Sequence, residues 1–231
     1  MTTMAILTVG SRRASLMRTI ESLGSAPASV GRRLIWHDGP AGGDVSGWES
    51  HGTAARQGPP NTHAFWDLVE YVATSGDDLL FFEDDIQASP GSVAYAARMG
   101  CPGWAAFVSW FDPVGKWTNQ VPKVLYLDAG TIIPCQARTL PAHTLARLAE
   151  FRHSHGWRPA VGSDACVAAA LRGETAAIHI PSLVQHVGAV SEVSSDVGLS
   201  GDRVAGSWLG PTYNVERGFQ HVTPRDLWGA G

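Results

Sequence analysis

The sequence predicts an α/β protein built on a mostly parallel sheet that helices cover on both faces. Short apolar runs typical of buried strands alternate with amphipathic segments in the first part of the chain. The 231 residues suffice for one domain, and 44% apolar against 16% charged residues indicates a folded globule. Because alternating strands and helices favour a parallel sheet, polar residues that follow the strands should share one edge.

The first half of the chain contains three strand candidates separated by two helix candidates. We predict strands at residues 4–9, 33–37 and 79–82, and helices at 14–23 and 63–74, with an irregular connection rich in Gly, Pro and Ser at 40–62. Right-handed crossovers join such strands, and ligands of such sheets bind beyond the carboxyl ends of the strands.

The second half of the sequence predicts a more mixed arrangement. Strands are expected at residues 103–111, 121–127 and 176–180, with antiparallel pairing left open for the first two, and helices at 142–151 and 164–171. A tail rich in Gly and Ser follows from residue 191, with Trp208 and Trp228 as its large anchors.

Composition narrows the classes of function. A formal net charge of -4 gives no support to a broadly basic nucleic-acid binder. Cys101, Cys135 and Cys166 are widely spaced without a CxxC pair, so neither a zinc site nor a disulfide framework is indicated. The N-terminus lacks a basic leader, and no run approaches the roughly 20 apolar residues of a membrane span. We therefore expect a soluble protein of the cytosol.

Three consecutive carboxylates, Glu83, Asp84 and Asp85, follow the apolar strand candidate at residues 79–82. Three carboxylates at a sheet edge destabilise the fold unless a cation compensates their charge. Mn²⁺ or Mg²⁺, which prefer oxygen ligands, are the natural candidates. The alternative is a solvated acidic turn leading into a helix that Ser89 and Pro90 cap.

The segment Leu-Leu-Phe-Phe-Glu-Asp-Asp-Ile at 79–86 resembles the strand and DxD-type motif of GT-A nucleotide-sugar glycosyltransferases. The resemblance implies a Rossmann-like nucleotide-binding half fused to a smaller mixed acceptor-binding half. These would be about residues 1–100 and 101–190, followed by a tail or lid at about 191–231. It also implies that Asp85 is the main ligand of a divalent ion on the donor diphosphate. Glu83 would contact the ribose or a metal-bound water, and Asp84 has the least defined role.

A second segment, Ile-Pro-Ser-Leu-Val-Gln-His-Val-Gly at 180–188, is similar to a segment of several GT-A enzymes whose histidine completes the metal site. That resemblance implies that His186 is a metal ligand. A lone histidine is more often structural, and His179 is the nearby competitor for the role.

The opening segment at 9–23 resembles the first strand and helix of GT-A enzymes, where a backbone turn holds the nucleotide base. The resemblance implies donor contacts at Val9, Ser11 and Arg13, with Arg12 and Arg13 pairing donor phosphates unless they are only solvated charges. Asp38 matches an aspartate that hydrogen-bonds the base or ribose; its alternative is a simple turn with Gly39.

Asp164 opens the helix candidate at 164–171 and matches the place where inverting GT-A enzymes carry their catalytic base. A base of this kind deprotonates the acceptor hydroxyl. The alternative is a carboxylate that stabilises the N-terminal turn of the helix. A retaining reaction, which needs no dedicated base, is then the other option, and the sequence leaves the stereochemistry open.

Acceptor contacts are predicted at an aromatic cluster. Trp110 and Trp117 are expected to form an acceptor wall, because sugar rings and bases stack on such faces, although most of the nine Trp residues must be core. Gly130 resembles the acceptor-side turn of the family.

The sequence therefore predicts a metal-dependent glycosyltransferase that uses a nucleoside-diphosphate sugar. The alternatives are a nucleotidyltransferase and a non-catalytic module that binds a nucleotide or sugar. The acceptor stays open among a glycan, a protein side chain, a small molecule and a hydroxymethylated base in phage DNA. The expected location is the cytosol of a bacterium or of a phage-infected host.

Overall fold

The structure is a computed structural model that describes residues 1–9, 12–54, 62–112, 121–131, 136–154, 162–187, 205 and 207–229. The described strands are β1 (Thr2–Val9), β2 (Val30–Asp38), β3 (Glu49–Gly52), β4 (Asp78–Glu83), β5 (Ile86–Ala88), β6 (Phe107–Ser109), β7 (Lys123–Asp128), β8 (Ala137–Leu140), β9 (Thr175–Ile180) and β10 (Val184–His186). Eight of them form a central sheet in the order β3-β2-β1-β4-β8-β6-β9-β7, and β10 and β5 form a separate two-stranded sheet.

Four of the seven pairings between the described strands of the large sheet are parallel. Strand β8 runs antiparallel between β4 and β6, so β6 and its parallel partner β9 point the same way as β1, β2 and β4. The carboxyl ends of these five strands form one edge, which we call the carboxyl edge. This arrangement confirms the predicted α/β class and is compatible with a Rossmann-like fold.

Helices cover both faces of the large sheet. The seven described helices are α1 (Arg13–Leu23), α2 (Thr62–Ala73), α3 (Ser92–Met99), α4 (Ala142–Arg152), α5 (Ser163–Ala170), α6 (Val215–Gly218) and α7 (Pro224–Trp228). Side chains of α1, α3, α6 and α7 join one apolar cluster, and those of α2, α4 and α5 join the other. Successive residues of β1 alternate between the clusters: Met4 and Ile6 enter the first, and Ala5 and Leu7 the second.

The predicted elements of the first half are confirmed, but several strands were missed. Strand β3 lies in the segment predicted to be irregular, and β8 lies where no strand was predicted. The strand predicted at 103–111 is confined to β6. Helix α3 begins at Ser92 with Gly91 at its N-cap, so Ser89 and Pro90 do not cap it as the alternative interpretation of the acidic segment had it.

The described part of the tail belongs to the core. Trp228 is buried, and its Nε1 donates a hydrogen bond to the Met99 carbonyl at 2.9 Å. Arg98 on α3 donates to Glu216 and to the Val222 carbonyl. Residues 207–229 therefore pack on the fold in this structure, while residues 191–204 lie outside the described residues, so the lid stays a prediction. Among the described helices, none combines the length and apolar character that crossing a membrane requires.

Candidate functional site

The order of the strands reverses beside β1, which has β2 on one side and β4 on the other. Ligands of open α/β sheets bind in the crevice outside the strands at such a switch point. At the carboxyl edge, Val9 lies beside Asp38, and Leu7 beside Glu83. The fold therefore brings three predicted donor-binding residues, Val9, Asp38 and Glu83, together at this crevice.

Asp84 ties the loop after β4 to β1 and α1. Its carboxylate accepts hydrogen bonds from Thr8 Oγ1 at 2.6 Å and from Arg12 Nη1 at 3.0 Å. The Thr19 hydroxyl donates to the carbonyls of Asp84 and Ile86, both at 2.8 Å. These bonds cross the switch point and hold the acidic loop, which gives Asp84 a structural role that the sequence did not indicate.

Asp85 contacts His186 across the small sheet. The two-stranded pairing puts Ile86 opposite His186, and the Val187 N–H donates to the Asp85 carbonyl at 2.8 Å. This register leaves His186 Nε2 3.1 Å from Asp85 Oδ2. Arg12 Nη1 contacts the same Asp85 oxygen at 3.0 Å, so one carboxylate oxygen meets both a guanidinium and an imidazole.

The three charged groups shift one another's protonation. Burial raises the pKa of Asp84, and the hydrogen bond from Thr8 and the charge of Arg12 offset only part of that rise. Burial also opposes ionisation of Asp85, but His186 and then Arg12 outweigh it and hold the pKa of that carboxyl below its usual range. Burial opposes the charge of Arg12 too, yet the two carboxylates outweigh it and raise the Arg12 pKa. Arg12 thus compensates part of the negative charge for which we expected a metal ion, and it pairs with these carboxylates rather than with donor phosphates.

The Asp85–His186 pair nevertheless fits a divalent ion. Asp85 Oδ1 is buried and accepts no hydrogen bond from the described residues, so one oxygen is without a partner there. Carboxylate oxygens suit Mn²⁺, and a neutral imidazole is a common ligand of divalent metals. Within the described ranges, no group of three or more His, Cys, Asp or Glu side chains is arranged to hold a metal. An ion at this pair would therefore take its other ligands from substrate or water.

A small cavity of about 130 Å³ opens between the ends of β1 and β2. Thr8, Val9, Arg13 and His37 line it together with Gly42 and Gly43. A side chain at Gly42 would put its Cβ 2.4 Å from the His37 ring, so only glycine permits this close approach. Burial, and next the charge of Arg13, lower the pKa of His37. We did not predict His37, although its place directly before Asp38 at the strand end was a usable signal.

The two histidines considered as metal ligands, His179 and His186, have different surroundings. His179 is buried in the core, where its Nε2 hydrogen-bonds Tyr95 at 3.0 Å and its Nδ1 the Pro181 carbonyl at 2.7 Å. Both ring nitrogens are therefore used inside the fold. His186 instead lies at the acidic loop, so only His186 is placed to serve there.

Asp164 lies in the first turn of α5, close to a buried arginine. Arg138 Nη2 is 3.6 Å from Asp164 Oδ1, and the Arg138 guanidinium lies over the Phe107 ring. Since Arg138 is almost fully buried in β8, Asp164 is its nearby counter-charge as well as a candidate base. Sequence reasoning missed Arg138 because it missed β8.

The structure does not favour two of the predicted acceptor contacts. Trp110 is only 1% exposed, and its Nε1 donates to Thr139 Oγ1 at 2.8 Å, so it is core and no acceptor wall. Gly130 follows β7, which runs antiparallel to β9, and therefore lies at the edge opposite the carboxyl edge. Trp117 and Ser11 lie outside the described residues.

Comparison with known proteins adds no identification. No protein-family model matches the chain, and a search of curated proteins finds no match.

Proposed function

We propose that this protein is a GT-A glycosyltransferase that moves a sugar from a nucleoside-diphosphate sugar to an acceptor hydroxyl, assisted by Mn²⁺ or Mg²⁺. The observation that carries the proposal is the contact between Asp85 and His186 at the carboxyl edge. These residues belong to the two segments, 79–86 and 180–188, that resemble GT-A enzymes independently of each other. Their meeting in space is what a shared ion would require.

The surroundings of the pair suit a nucleotide donor. The cavity beside Val9, Arg13 and His37 lies at the same crevice and contains a positive side chain. Helix α1 begins at this edge, and the free N–H groups of a helix N-terminus favour an anion such as a diphosphate. A divalent ion held by Asp85 and His186 would neutralise the negative charge on the departing nucleoside diphosphate.

Asp164 is the candidate base of the transfer. The acceptor oxygen forms a bond to the anomeric carbon as the bond from that carbon to the diphosphate breaks, and Asp164 takes the hydroxyl proton. Its side chain is 30% exposed, so a substrate hydroxyl can reach it. If Asp164 only supports α5 and Arg138, a retaining transfer is the alternative.

The test is release of nucleoside diphosphate from a panel of nucleotide sugars. The full chain is incubated with Mn²⁺ and each donor, with and without glycan, small-alcohol and hydroxymethylated-DNA acceptors. We expect release from at least one donor, loss of release in Asp85→Asn, and normal release in the control Glu150→Gln on α4. Release of pyrophosphate instead would favour a nucleotidyltransferase, and cleavage of no donor would favour a non-catalytic binding module.

A further inference from the structure

A trough with both polar and apolar lining runs along α1, starting beside the Asp85–His186 pair and leading away from it. Two cavities, of about 410 Å³ and about 510 Å³, form it. Both are lined by Glu21, Ser22 and Gln87, so they are continuous along the helix. We call this feature the α1 trough; the second cavity extends it to Pro211 and Asn214.

The trough begins next to the proposed reaction centre. Ile86 and Val187 line its first cavity, and they directly follow Asp85 and His186 in the chain. Backbone pairing fixes this neighbourhood, because the Val187 N–H donates to the Asp85 carbonyl. A ligand that lies in the trough therefore has one end beside the metal pair.

The lining offers hydrogen bonds but little net charge. Within the described residues, the side chains of Glu21 and Gln87 form no hydrogen bond. A carboxylate accepts and an amide both donates and accepts, which matches the adjacent hydroxyls of a sugar. Arg18 and Glu21 balance each other in charge, so the trough lacks the excess of cations that a phosphate backbone requires.

The trough is also too long for a single ring. Arg18 to Leu23 spans about 8 Å of helix axis at 1.5 Å per residue, and the second cavity continues beyond it. An extended ligand with hydroxyl groups along its length fits this shape better than a compact one.

We propose that the α1 trough binds a neutral glycan chain as the acceptor of the transfer. This inference rests on the proposed glycosyltransferase function and names its acceptor class. It also replaces the acceptor contacts at Trp110 and Gly130 that the structure does not support.

The test is calorimetric titration of the full chain with short neutral oligosaccharides of the gluco, galacto and manno series. Gln87→Trp fills the trough, and the exposed Glu21→Ala removes one acceptor group without endangering the fold. His143→Trp and Glu150→Ala, both exposed on α4, are the matched controls. We expect one series to bind the wild type and the controls, with affinity lower by about tenfold or more in Gln87→Trp and lower in Glu21→Ala.

Binding of no series overturns the proposal, and so does equal binding by the wild type and both trough variants. Binding of hydroxymethylated duplex DNA that Gln87→Trp weakens also overturns it, because the acceptor would then be anionic. Donor cleavage by the wild type without acceptor is measured separately. Cleavage without oligosaccharide binding rejects only the trough, whereas oligosaccharide binding without cleavage of any donor rejects the glycosyltransferase.

Discussion

His186 Nε2 lies 3.1 Å from Asp85 Oδ2, although 101 positions separate the two residues in the chain. The short antiparallel pairing of β5 with β10 produces this contact, because it sets Ile86 opposite His186. The proposed metal site therefore depends on two three-residue strands. Strand β5 begins directly after Asp85, and β10 ends at His186.

The Asp85–His186 pair should bind Mn²⁺ as a unit. Asp85→Asn and His186→Gln should each weaken Mn²⁺ binding by more than about tenfold, since even outer-shell partners of a metal often contribute that much. Because both residues act on one ion, the double variant should lose less than the sum of the two single losses in free energy. Electron paramagnetic resonance of free Mn²⁺ measures this, with His143→Gln as control. Unchanged affinity in either single variant would contradict the assignment.

Arg12 should compete with the metal for Asp85. Its Nη1 lies 3.0 Å from oxygens of both Asp84 and Asp85, and its side chain is only 12% exposed. Arg12→Gln should lower the free energy of unfolding by about 3 kcal/mol, because it leaves buried carboxylates without their cation. Mn²⁺ should then restore more stability to Arg12→Gln than it adds to the wild type.

Urea unfolding with and without Mn²⁺ measures both effects. Arg18→Gln, an exposed arginine on the same helix, is the control and should lose little stability. An equal response of Arg12→Gln and wild type to Mn²⁺ would show that Arg12 and the ion do not compete.

His179 should make stability depend on pH. Burial lowers its pKa from 6.5 to about 4, so between these values the unfolded chain binds a proton that the folded protein does not. The free energy of unfolding should therefore fall as the pH falls through this window, by an amount of about 3 kcal/mol in total. In His179→Gln the decrease should be smaller, and in the exposed His143→Gln it should match the wild type. Urea unfolding from about pH 7 to about pH 4 tests this, and a parallel decrease in His179→Gln would refute it.

Trp228 should anchor the tail to the fold. Its ring is buried against the core cluster and its Nε1 donates to Met99 on α3, so Trp228→Ala should reduce the free energy of unfolding by about 3 kcal/mol or more. Trp104 is 41% exposed, so the matched control Trp104→Ala should reduce the free energy of unfolding much less. Thermal or urea unfolding compares them; similar losses in both variants would mean that the tail packs only loosely.

Asp164 should act on the transfer and not on the metal. Asp164→Asn should lower the rate of transfer by about a hundredfold or more, the usual contribution of a general base, while Mn²⁺ binding stays as in wild type. A loss of stability instead, without a change in the turnover of folded enzyme, would assign Asp164 to support of Arg138 alone.

The sequence was sufficient for the class of the fold and for the position of the acidic loop. Apolar runs and helical spacing act locally, so they located β1, β2, β4, α1 and α2 closely. Strand β8 escaped because Arg138 is buried within it, and a buried charge hides the apolar pattern of a strand. The polar, short β3 gave equally little signal.

The site was less predictable, since its geometry depends on contacts between distant segments. Trp110 lies close to Ser109 and Asp112 in the chain, but its ring is buried because Tyr95 and Trp228 pack against it. The edge of the sheet at which Gly130 lies could not be predicted, because the sequence does not reveal the direction of β7. The contacts of Arg12 and Asp84 also depend on tertiary structure. The sequence does not show which cation will face the carboxylates, because the hydrogen bonds around them join segments that are far apart in the chain.

The most direct test of the central claim is Mn²⁺-dependent release of nucleoside diphosphate by the wild type and by Asp85→Asn. The account predicts that at least one nucleotide sugar is cleaved by the wild type, that chelation of the metal stops the reaction, and that Asp85→Asn abolishes it while Glu150→Gln does not. Cleavage that continues unchanged in Asp85→Asn, or no cleavage of any donor with Mn²⁺ or Mg²⁺, would contradict it.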